Sequence, residues 1–284
     1  MKDLVLNAQT RQQLEAFTLK PAHALMVVGP IGSGKRTLAI KLAEAVLGLR
    51  NGGFADHPYA LLIAPEEGKA IGIEAARKLE QFLALKVPGK TAHDRVIIIE
   101  DAHLLTVEAQ NALLKTLEEP PAGTILILTA NHEQTVLPTI RSRAQVVPVG
   151  RLEKVELHDH FKQNFDDASI EKAYAISGGL PGLMHALLND ADHPLVTATE
   201  KARELLSRTG YERLAMVDEL TKQKALALNV TVILQQMARV ALQNAQDPVA
   251  RRWCRILEAS YEAGEALTNN AQPKLVLTKL MLNL

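Results

Sequence analysis

A glycine-rich segment, GPIGSGKRT at residues 29–37, follows the apolar run Ala24–Val28 and leads into a helical pattern. Strand, glycine-rich turn and helix is the context of a phosphate-binding loop, in which backbone N–H groups at a helix N-terminus cradle phosphate oxygens. The lysine of such a loop reaches the outer phosphates. The segment therefore predicts a nucleotide site. Its predicted contact residues are Gly29, Gly32, Ser33, Gly34, Lys35, Arg36 and Thr37.

The magnesium ligand of this kind of loop is missing from its usual place. The residue after the lysine is usually Ser or Thr, whose hydroxyl binds Mg²⁺, whereas here it is Arg36. Thr37 carries a hydroxyl one position later, about 100° around the helix. The pattern predicts that ATP or ADP is bound without hydrolysis, and it predicts no metal ligand. A tight strand-to-helix turn without a ligand is the alternative interpretation.

A second group of polar side chains follows another apolar run. Four β-branched residues, Val96–Ile99, predict a strand buried on both faces, and Glu100 and Asp101 come directly after it. Ligands bind at the carboxyl ends of the strands in open α/β sheets, so we expect both carboxylates to face the nucleotide. Asn131 follows the next predicted strand, Thr124–Thr129, and is a candidate for the same edge. Carboxylates that only cap a strand in solvent are the alternative.

Two segments resemble a known family. NALLKTLEEPP (residues 111–121), after a strand that ends in two acidic residues, resembles the signature of the bacterial DNA polymerase III clamp-loader subunits. These are AAA+ ATPases that open the sliding clamp of the replicative polymerase. LPTIRSRAQVVPV (residues 137–149) resembles their Ser-Arg-Cys segment, with Ala144 in place of the cysteine. Within the family the chain is similar to the delta-prime type.

The resemblance implies that Arg143 is an arginine finger, which reaches the ATP site of a neighbouring subunit. A guanidinium is always charged and can donate two parallel hydrogen bonds to phosphate oxygens. It can therefore neutralise charge that develops in a transition state. An ordinary surface ion pair is the alternative interpretation of Arg143.

The resemblance also implies that the chain's own ATPase site has decayed. Hydrolysing relatives usually present Asp and then Glu, where this chain has Glu100 and then Asp101. Their lid domain carries a sensing arginine where this chain has Gly182. Thr129 or Asn131 stands where relatives place a sensor of the terminal phosphate, and hydrogen-bonding groups that only end the strand are the alternative. With Arg36, these departures imply a subunit that does not turn over ATP.

The predicted fold class is α/β. We expect an AAA+ P-loop domain with a five-stranded parallel sheet at residues 1–150, a small helical lid at 151–193 and an all-α collar at 194–284. Further predicted strands are Tyr59–Ala64 and Val146–Val149. Predicted helices are Thr10–Phe17, Gly72–Leu83, one from Thr106 to Pro120, Val155–Phe161, Ala168–Ser177, Leu183–Leu188, Leu205–Leu220, Ala225–Leu242 and one from Pro273. Residues 88–94 read as a polar loop.

Composition excludes several classes of protein. Lys plus Arg and Asp plus Glu both count 32, so any DNA contact must be local. Cys254 is the only cysteine, which excludes an internal disulfide and a cysteine-rich zinc module, so no zinc is expected. Cys254 and Trp253 are predicted core residues. Without a signal peptide or an 18-residue apolar run, we expect a cytoplasmic chain with no membrane contact.

The resemblance therefore implies a delta-prime-like subunit of the clamp loader. Its expected partners are gamma/tau-type ATPase subunits, delta, the sliding clamp and, through the assembled complex, primer-template DNA. The alternative is an ATP-hydrolysing gamma/tau-like motor subunit, in which Thr37 and the carboxylates of Glu100 and Asp101, in reversed order, still bind magnesium.

Overall fold

The structure, a computed structural model, describes residues 4–49, 52–66, 70–87, 94–243 and 245–284. The chain divides into two compact units, Met1–Gly150 and Arg151–Leu284. Of the predicted polar loop at residues 88–94, only Asp94 lies within the described residues.

The first unit alternates helices and strands. In chain order these are α1 (Ala8–Leu19), β1 (Ala24–Val28), α2 (Lys35–Val46), β2 (Ala60–Ile63), α3 (Ile73–Leu83), β3 (Arg95–Ile99), α4 (Val107–Glu118), β4 (Thr124–Ala130), α5 (Pro138–Arg141) and β5 (Gln145–Pro148). The predicted N-cap of α4 is confirmed, since Thr106 Oγ1 accepts a hydrogen bond from the Ala109 N–H at 3.3 Å.

The strands form one parallel sheet in the order β2-β3-β4-β1-β5. The strands β1, β3 and β4 are buried along their whole length, as their continuous apolar runs predict. Helix α2 packs its Leu38 and Leu42 on one face of the sheet, and α4 packs Leu113 and Leu117 on the other. The predicted α/β class and five-stranded parallel sheet are therefore confirmed.

This topology defines two edges of the sheet. All strands run the same way, so β1, β3 and β4 end together, and Gly29, Glu100 and Asn131 directly follow them. The opposite edge carries the beginnings of the strands. Arg143 lies there, because it precedes the first residue of β5, Gln145, by two positions.

Helices are the regular elements of the second unit among its described residues. Its helices are α6 (Lys154–Phe161), α7 (Asp167–Ser177), α8 (Pro181–Asn189), α9 (Pro194–Ser207), α10 (Gly210–Ala215), α11 (Val217–Thr221), α12 (Lys224–Leu242), α13 (Val249–Thr268) and α14 (Pro273–Asn283). The side chains predicted for one face of α14 are buried. They are Leu277, Leu280, Met281 and Leu284.

The prediction of one helix over Leu205–Leu220 is wrong, because helix α9 ends at Ser207 and a new helix begins at Gly210. Thr209 and Glu212 form a capping box that begins α10, and the Thr209 N–H donates to Glu212 Oε2 at 2.8 Å. Apolar residues continue on both sides of this break. Their spacing alone therefore predicted an uninterrupted helix.

The predicted lid and collar segments meet through side-chain hydrogen bonds. Gln236 Nε2 on α12 donates to the Ser177 carbonyl at the end of α7, at 2.7 Å. Arg151 Nη1 donates to the Gly178 carbonyl at 2.6 Å, and its Nη2 donates to Gln236 Oε1. A boundary between lid and collar at residue 193 stays a prediction.

Among the described residues, α12 is long and apolar enough to cross a bilayer. It packs against α9 and α13, however, with Val230, Ile233 and Leu234 buried in the second unit. These contacts make α12 part of the helical packing of the second unit.

The prediction that Cys254 is a core residue is wrong. The buried positions of α13 are Ile256, Ser260, Ala263 and Leu267. Cys254 precedes Ile256 by two residues, about 200° around the helix, and it is exposed. Trp253 lies at the margin of the buried stripe and is half-buried.

Candidate functional site

The glycine-rich loop between β1 and α2 depends on its glycines for two different reasons. Gly34, the N-cap of α2, has φ +86°, a left-handed conformation that favours glycine. Gly29 is required by close approach, since a Cβ atom there would lie 2.0 Å from the carbonyl oxygen of Val149. The loop is thus pressed against the end of β5, and it turns directly into the N-terminus of α2.

Lys35 is buried and folds back over this loop. Its Nζ donates to the carbonyl oxygens of Gly29 at 2.6 Å and Pro30 at 3.2 Å, and to Asn131 Oδ1 at 3.1 Å. Burial lowers the pKa of Lys35 to about 8, against the opposing attraction of the Asp101 and Glu100 carboxylates. An ammonium surrounded by oxygen acceptors can exchange them for phosphate oxygens.

Arg36 faces the first acidic residue of the strand-end pair. Its Nη1 lies 3.2 Å from Glu100 Oε2, and the side chains are 58% and 15% exposed, respectively. Glu100 Oε2 has no hydrogen-bond partner among the described residues. Burial raises the pKa of Glu100, and the Arg36 charge partly offsets this effect. The positive charge that faces the Glu100 carboxylate is therefore the Arg36 side chain.

The second acid, Asp101, belongs to a polar network that includes a residue the sequence reasoning missed. Asp101 has φ +49°, and its N–H donates to Thr129 Oγ1 at 2.9 Å. His103 Nε2 lies 3.0 Å from Asn131 Nδ2, and its Nδ1 lies 3.9 Å from Asp101 Oδ1. Its signal in the sequence was a single polar residue between Ala102 and Leu104.

The hydrogen bonds determine the form of His103. Asn131 Oδ1 accepts from Lys35, so Asn131 Nδ2 is a donor and His103 Nε2 must be an acceptor. Burial lowers the pKa of His103, which agrees with a neutral ring that carries its proton on Nδ1, toward Asp101. The hydrogen bonds thus connect Lys35, Asn131 and His103, whereas Asp101 Oδ1 lies 3.9 Å from His103 Nδ1, which has no hydrogen-bond partner among the described residues.

The structure brings most of the predicted nucleotide-site residues to one edge. The glycine-rich loop, Lys35, Arg36, Glu100, Asp101 and Asn131 all lie at the carboxyl ends of the strands. Ser33 is buried within the loop. Thr37 is exposed on the surface of α2.

These residues fit a phosphate group but not a magnesium ion. The glycine cradle, the α2 N-terminus and Lys35 are the usual elements of a phosphate site. The hydroxyl that would bind magnesium is replaced by a guanidinium, which cannot ligate a cation. That guanidinium already faces the neighbouring carboxylate, Glu100.

Arg143 lies at the surface of the first unit and is held in a defined position. Its Nη2 pairs with Glu118 Oε1 at 2.8 Å, and its Nη1 donates to the Thr139 carbonyl at 2.9 Å and to Ser142 Oγ at 3.3 Å. Its side chain is 35% exposed. The sequence reasoning missed the partner Glu118, although it is the first glutamate of the LEEPP motif.

Arg143 and the glycine-rich loop lie at opposite edges of the sheet. Gly29 follows the last residue of β1, and Arg143 precedes the first residue of the adjacent parallel strand β5. The length of the intervening strand separates them by roughly 15 Å. Arg143 is therefore placed away from its own chain's candidate nucleotide site.

Comparison with known proteins agrees with this architecture. Residues 7–153, a little over half of the 284, match the model of the family described as DNA polymerase III, delta subunit. DNA polymerase III subunit delta' of Pseudomonas aeruginosa is 32% identical over 178 residues, which are 56% of this chain and 54% of that protein. The chain thus matches about half the length of this relative.

Two further relatives extend the similarity beyond the first unit. DNA polymerase III subunit tau of Bacillus subtilis is 27% identical over 257 residues, which are 81% of this chain and 43% of that protein. A crystal structure of a DNA polymerase III gamma subunit-related protein from Thermotoga maritima has a TM-score of 0.58 at 19% identity, and covers 96% of this chain and 97% of that one. This last likeness establishes the AAA+ fold. The chain belongs to the DNA polymerase III delta subunit family, and it is similar to the delta' subunits of that polymerase.

Proposed function

We propose that this chain is a non-hydrolysing subunit of the DNA polymerase III clamp loader and offers Arg143 as an arginine finger to a neighbouring ATPase subunit. Its partners are gamma/tau-type subunits, delta, the sliding clamp and, through the assembled complex, primer-template DNA. In this role it works in the cytoplasm during replication. It holds a fixed position in the loader while its neighbours turn over ATP.

The observation that carries the proposal is the position of Arg143. It lies at the edge of the sheet opposite the chain's own glycine-rich loop, and its guanidinium reaches the surface. A guanidinium there can reach the phosphates of another molecule but not its own. It forks onto phosphate oxygens and neutralises transition-state charge.

The other edge of the sheet supports the non-hydrolysing part of the proposal. The glycine-rich loop and Lys35 would hold the phosphates of ATP or ADP, with Asn131 beside the lysine. Arg36 stands where hydrolysing loops carry their magnesium ligand. Hydrolysis needs that metal to bridge the phosphates and neutralise developing charge, so the bound nucleotide would not turn over.

Reconstitution of the loader with an Arg143→Ala variant tests the arginine finger. We expect the loader to assemble normally with gamma/tau-type subunit, delta and clamp, and its DNA-stimulated ATP turnover to fall by at least about tenfold. The matched control is Arg77→Ala, because Arg77 makes a similar glutamate pair, 2.8 Å from Glu74, on α3. Turnover equal to that of the control would contradict the proposal.

A tau-like motor subunit is the second candidate. The similarity to subunit tau over 81% of the chain favours it, as does Lys35 beside Asp101 and Asn131. Magnesium-dependent ATP turnover by the purified chain, abolished in a Lys35→Ala variant, would establish this candidate. Undiminished ATP turnover by a loader assembled with the Lys35→Ala variant would exclude it.

A further inference from the structure

The pairing of Arg36 with Glu100 bears on how the loop neutralises a bound phosphate. In a magnesium-dependent loop, the hydroxyl after the lysine and the strand-end acid hold the metal together. Here these two positions hold side chains of opposite charge, 3.2 Å apart. Sequence spacing alone did not predict this contact, because 64 positions separate the two residues.

A divalent cation would meet an unfavourable set of charges at this place. It would be left with the carboxylates of Glu100 and Asp101, next to the cationic side chains Lys35 and Arg36. Like charges at such distances repel strongly where water is partly excluded. A phosphate group is attracted by both cations and repelled by the two carboxylates, of which Glu100 is already paired with Arg36.

Arg36 also has the freedom to reach a ligand. Its side chain is 58% exposed, whereas Glu100 is only 15% exposed, so the carboxylate is the fixed partner and the arginine the movable one. The guanidinium has several N–H donors in a planar fork, so it can bind a phosphate oxygen while it stays paired with Glu100. Glu100 thereby orients the arginine as it would otherwise orient a metal.

We propose that Arg36 takes the place of magnesium, so that the loop binds a nucleoside diphosphate or triphosphate without a divalent cation. The guanidinium binds the phosphate oxygens, and Glu100 positions it. This inference rests on the nucleotide site of the proposed function and not on the arginine finger. The finger is judged by Arg143→Ala, which leaves this loop unchanged.

Calorimetric titration of the intact chain with ADP and with ATP tests the inference. Each titration is done with excess magnesium and again with excess EDTA. We expect the dissociation constants to agree within about twofold for the wild type, since the metal contributes no contact.

Arg36→Ser restores the hydroxyl and removes the guanidinium. In EDTA we expect it to bind about 10- to 100-fold more weakly, as for a lost charge-assisted contact, and to regain affinity with magnesium.

Two variants make this result specific. Arg36→Lys keeps a cation but loses the planar fork, so we expect intermediate affinity that remains independent of magnesium. It also keeps the test usable if Arg36→Ser does not fold, which a thermal melt reveals. Arg77→Ser removes a comparable arginine–glutamate pair on α3, and we expect wild-type binding.

Several results would overturn the inference. A wild type that binds nucleotide only with magnesium retains a metal site despite Arg36. Equal affinities of the wild type and Arg36→Ser in EDTA would mean that the guanidinium does not touch the phosphates. A wild type that binds neither nucleotide has an empty loop, and the loader assay with Arg143→Ala would still stand.

Discussion

Two arginine–glutamate pairs of the first unit are built in opposite ways. At the carboxyl edge of the sheet, the glutamate is enclosed and the arginine exposed, with 15% exposure for Glu100 against 58% for Arg36. At the opposite edge the glutamate is the exposed partner, with 52% for Glu118 against 35% for Arg143. The two pairs thus differ in which charge the fold holds in place.

This difference in exposure indicates a different role for the arginine of each pair. Glu100 Oε2 is buried without a hydrogen bond, so Arg36 is the nearby positive charge on which this carboxylate depends. Arg143 has further acceptors in the Thr139 carbonyl and Ser142 Oγ, and Glu118 adds one more. The first pair neutralises a buried group within the site, whereas the second orients a cation toward the outside.

The largest effect should come from Gly29→Ala, in the glycine-rich loop at the same edge of the sheet as the first pair. Its Cβ would lie 2.0 Å from the carbonyl oxygen of Val149, and a backbone atom cannot rotate away. We expect a loss of about 3 kcal/mol or more in the free energy of unfolding, measured by urea denaturation.

Gly150→Ala is the matched control for this substitution. It lies two positions beyond the end of β5, and no atom comes within 4 Å of a Cβ built there. We expect a change within about 0.5 kcal/mol. Similar losses in the two variants would mean that the carboxyl edge is not tightly packed around the loop.

An intermediate effect is expected from Lys35→Met, and its dependence on pH is the informative part. The pKa of Lys35 falls from 10.5 to about 8 on folding, so between these values the unfolded chain binds more protons than the folded one. The contribution of Lys35 to the free energy of unfolding therefore rises with pH between about 8 and 10.5. At pH 7 the full free-energy cost of burying the charged ammonium is present.

The measurement compares the unfolding free energies of the wild type and Lys35→Met at several pH values. From pH 7 to pH 10 the wild type should gain about 2 kcal/mol relative to the variant, because Lys35 loses its buried charge. The difference between the two proteins removes the titration of the groups that do not interact with Lys35; Glu100 and His103 do interact with it. A difference that does not change with pH would show that Lys35 is not buried as a cation.

The local sequence predicted the elements of the first unit well, and for physical reasons. The run Ala24–Val28 is apolar throughout and is β1 from end to end, as a strand buried on both faces requires. Thr106 caps α4 because a hydroxyl at that position satisfies a free N–H group. The strand-end positions of Glu100 and Asn131 followed from these elements.

The partners within the sites could not be predicted in the same way. Lys35 meets Asn131 across 96 positions, and Arg143 meets Glu118 across 25, so both contacts depend on strand order and helix packing. His103 has no periodic signal, and only the folded network reveals it. In the second unit, the short capping box at Thr209 was hidden by the longer apolar pattern around it.

The smallest effect on stability should come from Glu118→Gln in the second pair. Glu118 is exposed, and Arg143 keeps its bonds to Thr139 and Ser142, so we expect a change within about 0.5 kcal/mol in the free energy of unfolding. The loader should respond differently, because a finger without its charged partner is less well oriented. We expect ATP turnover between those of the wild type and Arg143→Ala, with assembly unchanged. A loss of stability with normal turnover would reverse this assignment, and would make the second pair a structural element only.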